Sequence, residues 1–132
     1  MQIDKLGDIR LLPVTSFSGK TALEAMQQQY ILVDWGTAFD IQHARHFPNL
    51  APPQLRTGSA RIALELMQQR GGSAYLPQTM VKPLLENGSL HLITGAPVMQ
   101  RELFAVSLPK AAHRTNISDI IAQLRALLSG SK

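Results

Sequence analysis

The sequence predicts an α/β fold, in which short strands alternate with helices. Two apolar runs, residues 30–36 and 71–77, each stop abruptly at turn residues, and a helix-like pattern follows each of them. The alternation continues through about five units, which predicts a mostly parallel sheet flanked by helices and joined by right-handed crossovers. Because ligands of open α/β sheets gather where strands end and helices begin, we expect a binding site at these turns.

The first half of the chain supplies three strands and three helices. Pro13 removes a ladder donor from the first strand, so that strand is expected at a sheet edge or a crossover. Ser59 is a good N-cap for the third helix, whose apolar residues recur at helical spacing, and Gly71-Gly72 closes it. The predicted elements are a strand at 9–14, a helix at 19–27, a strand at 30–34, a helix at 38–46, a strand at 54–57 and a helix at 60–69.

The second half continues the alternation and ends in an amphipathic helix. Asn87-Gly88 turns the chain into the strand at 89–93, and a longer strand follows. Its continuously apolar run 103–106 is typical of a strand covered on both faces. Asn116, with Asp119 three positions later, is expected to cap the last helix. The predicted elements are a strand at 73–76, a helix at 77–86, strands at 89–93 and 103–106, and a helix with the apolar face Ile117, Ile120, Ile121, Leu124 and Leu128.

Composition bounds the class of protein. The 132 residues fit one domain, 1–132, and 45% apolar with 17% charged residues fit a globular one. The chain has no cysteine, which excludes a disulfide framework, a thiolate zinc site and a cysteine nucleophile. It has no signal-peptide pattern and no apolar run that could cross a bilayer, so we expect a soluble, cytoplasmic protein that makes no membrane contact.

The net charge of +4, from 13 Lys and Arg against nine Asp and Glu, could suggest a nucleic-acid partner. The basic residues are scattered singly, however, and aromatics make up only 5% of the chain. The pattern therefore favours a solvated surface over a nucleic-acid interface for this segment.

A P-loop is the most tempting motif. Ser18-Gly19-Lys20-Thr21 reproduces the end of the G-x-x-x-x-G-K-[ST] pattern, and residues 31–34 resemble a Walker B strand. Val14 occupies the first glycine position, however, and its Cβ disfavours the positive backbone angles that wrap a phosphate. A surface turn leading into a short helix is favoured over a nucleotide site, which stays as an alternative.

Neither a metal site nor a catalytic site stands out. His43, His46 and Asp40 could share a helix face, but a third or fourth ligand is missing nearby, so ordinary packing histidines are favoured and no metal or cofactor is expected. Ser59, His43 and Asp34 could be assembled into a triad on paper, yet no serine lies in a Gly-x-Ser-x-Gly elbow. We therefore do not expect an enzyme.

The order of these pieces resembles the regulatory domain of LysR-type transcriptional regulators, over about residues 9–128. The resemblance rests on order and spacing: a strand ending in Trp35-Gly36, Phe47-Pro48, the segment 55–59, the Gly-Gly segment 71–77, the segment 86–90, the segment 101–104 and the final helix. It is closest to the subgroup containing the repressor of the flagellar master operon. It covers the second half of that domain and its closing helix, without the winged helix-turn-helix, the linker helix and most of the first subdomain.

The resemblance implies a periplasmic-binding-protein-like (type 2), Rossmann-like subdomain. It also implies a small-molecule effector in a cleft between two subdomains, homo-oligomers, and promoter DNA bound only through the absent N-terminal domain. Matched to the family pattern, the wall of the cleft consists of Thr15, Ser16, Trp35, Gly36, Thr37, Ser59, Tyr75 and Pro77.

These residue types suit an oxygen-rich or anionic ligand, because hydroxyls lie beside free N–H groups at helix starts. Trp35 is equally a candidate core plug, and Ser59 a simple helix cap. Tyr75 stands where the family commonly has an aliphatic residue, so the pocket is expected to be narrower or to take another ligand.

Helix 60–69 carries a wider apolar arc than one sheet contact needs. The second stripe of this arc, Ile62 and Leu66, is expected to meet another subunit, since the corresponding helix in the family packs in an antiparallel dimer. A solute-binding α/β domain unrelated to transcription remains the other alternative.

Overall fold

The computed structural model describes residues 2–19, 21–107 and 114–129, in which strands and helices alternate as the α/β class requires. In this part of the chain no helix is long and apolar enough to span a membrane. The elements are β1 (Gln2–Thr15), α1 (Ala22–Gln27), β2 (Ile31–Val33), α2 (Thr37–His46), β3 (Leu55–Thr57), α3 (Ala60–Arg70), β4 (Ser73–Pro77), α4 (Gln78–Glu86), β5 (His91–Leu92), β6 (Met99–Ser107) and α5 (Arg114–Ser129).

The chain forms two compact units. One consists of residues 1–9 and 100–132, and the other of residues 10–99. In the first unit the guanidinium of Arg125 on α5 donates to the Lys5 carbonyl at 2.8 Å, and Lys5 pairs with Glu102 at 3.5 Å. The second unit holds every residue of the candidate site.

The sheets are mixed in strand direction. β1 pairs antiparallel with β4, from Leu11↔Pro77 to Thr15↔Ser73, and antiparallel with β5. β2 pairs parallel with β3, and a parallel bridge joins Tyr30 to Ser73. The expected mostly parallel sheet is therefore wrong for β1. The physical reason is the length of α1, whose six residues span only about 9 Å. That is less than half of the roughly 20 Å covered by residues 10–15 of β1, so α1 does not return the chain to the start of the strand.

Pro13 does not lie at a sheet edge or a crossover, because β1 lies between β4 and β5. The Pro13 carbonyl accepts from the Ile93 N–H at 2.9 Å, so the Pro13 nitrogen also faces the β5 side. There the Ile93 carbonyl is already bound by the Ala96 N–H at 3.3 Å. The β5 carbonyl opposite Pro13 therefore has a donor even though proline has no N–H. This explains why a proline is tolerated within the sheet.

Two predicted element ends and one predicted burial pattern are corrected. β5 is short because the Ser89 N–H donates to the Asn87 side chain at 2.8 Å and the Leu90 N–H to the Leu84 carbonyl at 3.1 Å, so the turn uses donors that a longer strand would need. Asn116 lies inside α5, which begins at Arg114, and is therefore not its N-cap. Phe104 is 50% exposed, so β6 is not covered on both faces at that residue.

The core of the second unit lies between the strands and the inner faces of α3 and α4. Ala63 and Met67 are the buried residues of α3, four apart as the predicted apolar stripe requires. A fully buried Met, Leu, Ile or Val side chain stabilises the fold by roughly 1.5–3 kcal/mol. The buried cluster consists of Leu12, Val14, Ile31, Val33, Ala63, Met67, Ala74, Leu76, Val81 and Leu90.

Candidate functional site

Two parallel strands end side by side and deliver two helix N-termini to the same edge. β2 ends at Val33 and leads into α2, while β3 ends at Thr57 and leads into α3. The Asp34 N–H donates to the Thr57 carbonyl at 3.0 Å, which fixes the two strand ends together. The two strand ends thus form one edge, built from neighbouring strands in parallel register. The expected binding site followed residues 30–36 and 71–77, so only its first turn lies at this edge.

The start of α2 is open to solvent. Gly36 is its N-cap, with φ of 97° and no side-chain cap, and its N–H donates to the Asp34 carboxylate at 3.0 Å. A Cβ at Gly36 would meet no atom within 4 Å, and Thr37 beside it is exposed. The positive φ explains the glycine, and the empty space beside it leaves room for a ligand at the positive end of the helix.

Trp35 joins the end of β2 to β4. Its indole N–H donates to the Tyr75 carbonyl at 3.0 Å, and its ring packs, partly buried, against the core cluster. The single donor of this side chain is thus used within the protein, so the structure gives Trp35 the role of a plug that holds the strand end in place.

Tyr75 lies in the core. It is only 1% exposed, and its hydroxyl donates to the Pro97 carbonyl at 2.8 Å. Its ring makes T-shaped contacts with Phe39, His43 and Phe47 at centroid distances of 5.4, 6.1 and 6.5 Å. Burial raises the pKa of Tyr75, so its hydroxyl stays protonated and remains a donor.

His43 belongs to the same aromatic cluster. Its Nε2 lies 2.8 Å from the Tyr30 hydroxyl, and the two rings stack at 5.5 Å. Burial lowers the pKa of His43, and the nearby Asp40 partly opposes that shift. Burial also raises the pKa of Tyr30, with Tyr75 adding to the effect. Over the described ranges no group of three or more metal-ligating side chains occurs, and His43 packs in the cluster.

Thr15 and Ser16 clasp the end of β1 to the Gly-Gly turn. The Ser16 N–H donates to the Gly72 carbonyl at 2.9 Å, and the Gly72 N–H donates to the Ser16 hydroxyl at 2.8 Å. The Ser73 hydroxyl donates to the buried Thr15 hydroxyl at 2.8 Å. Both predicted wall hydroxyls therefore hold the scaffold together.

Ser59 and Pro77 begin helices. The Ser59 hydroxyl accepts from the Ile62 N–H at 3.3 Å, so helix capping is confirmed for this residue. Pro77 is the N-cap of α4, half-buried and paired with Leu11 across the sheet. Pro77 starts α4 on the β4 side of the unit, whereas Ser59 follows β3.

A cavity of about 350 Å³ opens at the ends of β2 and β3. None of the predicted wall residues lines it, and sequence reasoning missed this role for all of its residues. The sequence feature that could have indicated these residues is a charged side chain at the end of each of two predicted strands, in the segments Val33-Asp34 and Leu55-Arg56. The lining residues are Leu32, Asp34, Asp40, Arg56, Thr57 and Gly58.

The P-loop candidate begins where β1 ends. Val14 is fully buried and pairs with Ala74 across the sheet. The Thr21 hydroxyl caps α1 by accepting from the Glu24 N–H at 3.2 Å and donates to the Glu24 carboxylate at 3.0 Å. Lys20 lies outside the described residues. Thr21 therefore has a capping role, and the geometry does not favour the nucleotide-binding alternative.

The two residues of the expected subunit interface differ in exposure. Ile62 is 52% exposed, whereas Leu66 is partly buried and packs against the core cluster. Only Ile62 of the pair presents its side chain mainly to solvent.

Sequence comparison finds curated relatives among transcriptional regulators. The chain is 30% identical over 110 residues to the HTH-type transcriptional regulator HdfR of Yersinia enterocolitica, covering 83% of this chain and 36% of that regulator. The chain thus spans about a third of the length of the curated relatives it matches. No protein-family profile matches the chain.

Comparison with solved structures finds the same fold. The C-terminal domains of a LysR family protein from Agrobacterium tumefaciens superpose with a TM-score of 0.73 at 14% identity, over 95% of this chain and 66% of that one. Full-length LysG from Corynebacterium glutamicum, with bound effector Arg, gives 0.62 at 18% identity over 94% and 46%. At these identities the structural likeness establishes the fold alone.

Proposed function

This chain matches the regulatory domains of LysR-type transcriptional regulators, as the order of its motifs predicts, and we propose that it is the effector-sensing part of such a regulator. HdfR is the repressor of the flagellar master operon, so the predicted subgroup is confirmed as well. The proposal includes a non-enzymatic, cytoplasmic protein whose residues 1–132 form the second half of the regulatory domain and its closing helix. Promoter DNA would be bound by a separate N-terminal domain of the longer regulator.

The observation that carries the proposal is the open edge where β2 and β3 end. Gly36 leaves the first N–H groups of α2 without a side-chain cap, and no atom lies within 4 Å of its Cβ position. Free N–H groups and the positive end of a helix favour a carboxylate or another oxygen-rich group. We therefore place the effector at this edge, where the start of α2 adjoins the ends of β2 and β3.

The other predicted wall residues support this position. Trp35 fixes the strand end through its bond to the Tyr75 carbonyl, and Ser59 fixes the start of α3. Thr15 and Ser16 hold β1 against the Gly-Gly turn. We infer that these residues set the shape of the wall, and that its ligand contacts come from groups that are still free.

Effector binding is tested by thermal unfolding of this chain against small carboxylates, amino acids, aromatic acids, and ATP with magnesium. A ligand that binds only the folded state raises the midpoint, and about 100-fold excess over Kd adds roughly 2.7 kcal/mol. We expect one metabolite class to raise it, and Thr37→Ala to weaken that rise. Thr57 is unsuitable as a control because it lines the cavity, so Thr79→Ala, at an exposed position of α4, is the matched variant. A rise confined to ATP with magnesium would contradict the proposal.

Oligomerisation is tested separately at α3. We propose that the exposed Ile62 lies in an interface between copies, so Ile62→Glu should lower the mass measured by light scattering. Arg61→Glu, a neighbouring exposed position, is the control for added negative charge. An unchanged mass in Ile62→Glu would refute this interface.

A further inference from the structure

The cavity at the ends of β2 and β3 is lined by charges of both signs. Arg56 comes from β3, Asp34 follows β2, and Asp40 lies in the first turn of α2. Its volume of about 350 Å³ lies at the small end of the range for small-molecule pockets, roughly 300–1,000 Å³. The cavity therefore has room for a small metabolite and groups that could bind both ends of one.

These charges do not neutralise one another. Within the described residues, no ion pair of 4.0 Å or less joins Asp34 or Asp40 to the Arg56 guanidinium. One Asp34 oxygen accepts from the Gly36 N–H, while no side-chain hydrogen bond occupies Asp40 or Arg56 in the described part of the chain. A ligand that reaches both signs would gain two charge-assisted contacts that the protein alone does not make.

The neighbouring groups are less available. The Thr57 hydroxyl accepts from the Ser59 N–H at 3.1 Å, and the Thr57 carbonyl accepts from the Asp34 N–H. Leu32 adds a half-buried apolar surface to the lining. The lining thus offers one cation, two carboxylates and an aliphatic contact.

We propose that this cavity is the effector subsite and that it takes a small amino acid, with the ligand carboxylate on Arg56 and the ammonium against Asp34 and Asp40. This inference rests on the proposed sensing function and names its ligand class. A simple anion would bind Arg56 but would face two carboxylates, and a simple amine would face the guanidinium. Arg56 also presents a planar pair of donors, which matches a carboxylate in a bidentate contact.

The test is calorimetric titration of this chain with matched compounds. L-Norvaline, L-lysine and 5-aminopentanoate carry both charges at different spacings, whereas pentanoate and pentylamine carry one charge each. We expect at least one two-charge compound to bind about tenfold more tightly than both single-charge compounds, as a charge-assisted contact predicts. The proposal is overturned if no two-charge compound binds at millimolar concentration, or if a single-charge compound binds equally well.

Variants then assign the contacts. Arg56→Gln and Asp40→Asn should each weaken the two-charge compound by about tenfold, and Arg56→Lys should restore only part of the affinity. Arg61→Gln and Glu65→Gln, exposed on α3 and outside the lining, are the matched controls and should leave the affinity unchanged. Unchanged affinity in Arg56→Gln would overturn the assignment.

The two proposals can fail separately. If another metabolite binds the chain and Arg56→Gln does not affect it, sensing stands and the amino-acid subsite is refuted. If the amino acid binds with the expected variant pattern but leaves promoter binding by the longer regulator unchanged, the subsite stands and the sensing function is refuted.

Discussion

Gly72→Ala is the most informative stability variant, because the structure states what the added methyl group would meet. A Cβ at Gly72 would lie 2.9 Å from the backbone carbonyl oxygen of Gln29 and 3.4 Å from Cγ of Met67. The first distance is too short for a real contact, and a backbone carbonyl cannot rotate away as a side chain can. The Gly72 N–H and carbonyl also hold Ser16 at 2.8 and 2.9 Å, so moving the turn would strain that clasp.

The magnitude follows from two opposing effects. Forcing an extra methyl group into a packed site costs typically 1–3 kcal/mol. Replacing glycine by alanine also restricts the unfolded chain, which returns about 0.4–1 kcal/mol. We therefore expect Gly72→Ala to lower the free energy of unfolding by about 1–2 kcal/mol. For a chain of this length that lowers the midpoint by roughly 4–8 °C.

The assay is urea unfolding followed by circular dichroism, with Gly58→Ala as the matched control. A Cβ at Gly58 would meet no atom within 4 Å, and Gly58 is not at a positive φ. The control should therefore be neutral or slightly stabilising. If Gly72→Ala is as stable as Gly58→Ala, the steric argument is refuted, and with it the close approach of the Gly-Gly turn to Gln29.

Three further predictions concern the residues around the site. Ser59→Ala removes the side-chain cap on the Ile62 N–H and should cost about 1 kcal/mol, read from the urea midpoint. Tyr75→Phe leaves the Pro97 carbonyl without its donor and should also cost about 1 kcal/mol, by the same measurement. The third concerns pH: because burial lowers the pKa of His43 in the folded state, the unfolded state binds more protons near its ordinary pKa of about 6.5. The stabilisation from neutral His43 should therefore be fully present above that pH and should be lost as the pH falls below it. The free energy of unfolding should decrease more steeply with falling pH in the parent than in His43→Gln.

A specific experimental result would contradict each of these predictions. Equal midpoints for Ser59→Ala and the parent would show that the cap contributes nothing measurable. An unchanged Tyr75→Phe would mean that water replaces the hydroxyl at the Pro97 carbonyl. Parallel stability curves between pH 7.5 and 5.5 for the parent and His43→Gln would show that His43 is not desolvated in the folded protein, since carboxylate titration is common to both chains.

Sequence reasoning predicted the elements well where local signals agree. Helix α3 was expected at 60–69 with Ser59 as its cap, and it runs from Ala60 to Arg70 with that cap. Strand β4 was expected at 73–76 and runs from Ser73 to Pro77. In both cases an apolar pattern is bounded by capping or turn residues. Together these signals predict both the type of the element and the residues at which it begins and ends.

Strand direction and side-chain partners were harder to predict. Periodicity identifies β1 as a strand but carries no information on whether it runs with or against β4, which depends on how far α1 carries the chain back. The hydroxyls of Thr15 and Ser16 look free in the sequence, yet their partners are some 56 to 58 positions away, at Gly72 and Ser73. Contacts at that separation are set by the tertiary fold, which local patterns do not encode.

The distinction between free and occupied polar groups decides which variants can test ligand binding. Changing Trp35 would break its bond to the Tyr75 carbonyl, so lost affinity and lost stability would come together and neither could be assigned. Arg56 and Asp40 are exposed, with no side-chain hydrogen bond within the described residues. Removing their charge should leave the free energy of unfolding within about 0.5 kcal/mol of the parent. A loss of affinity in those variants can then be attributed to the missing contact, which makes them the sharper probes of what this domain senses.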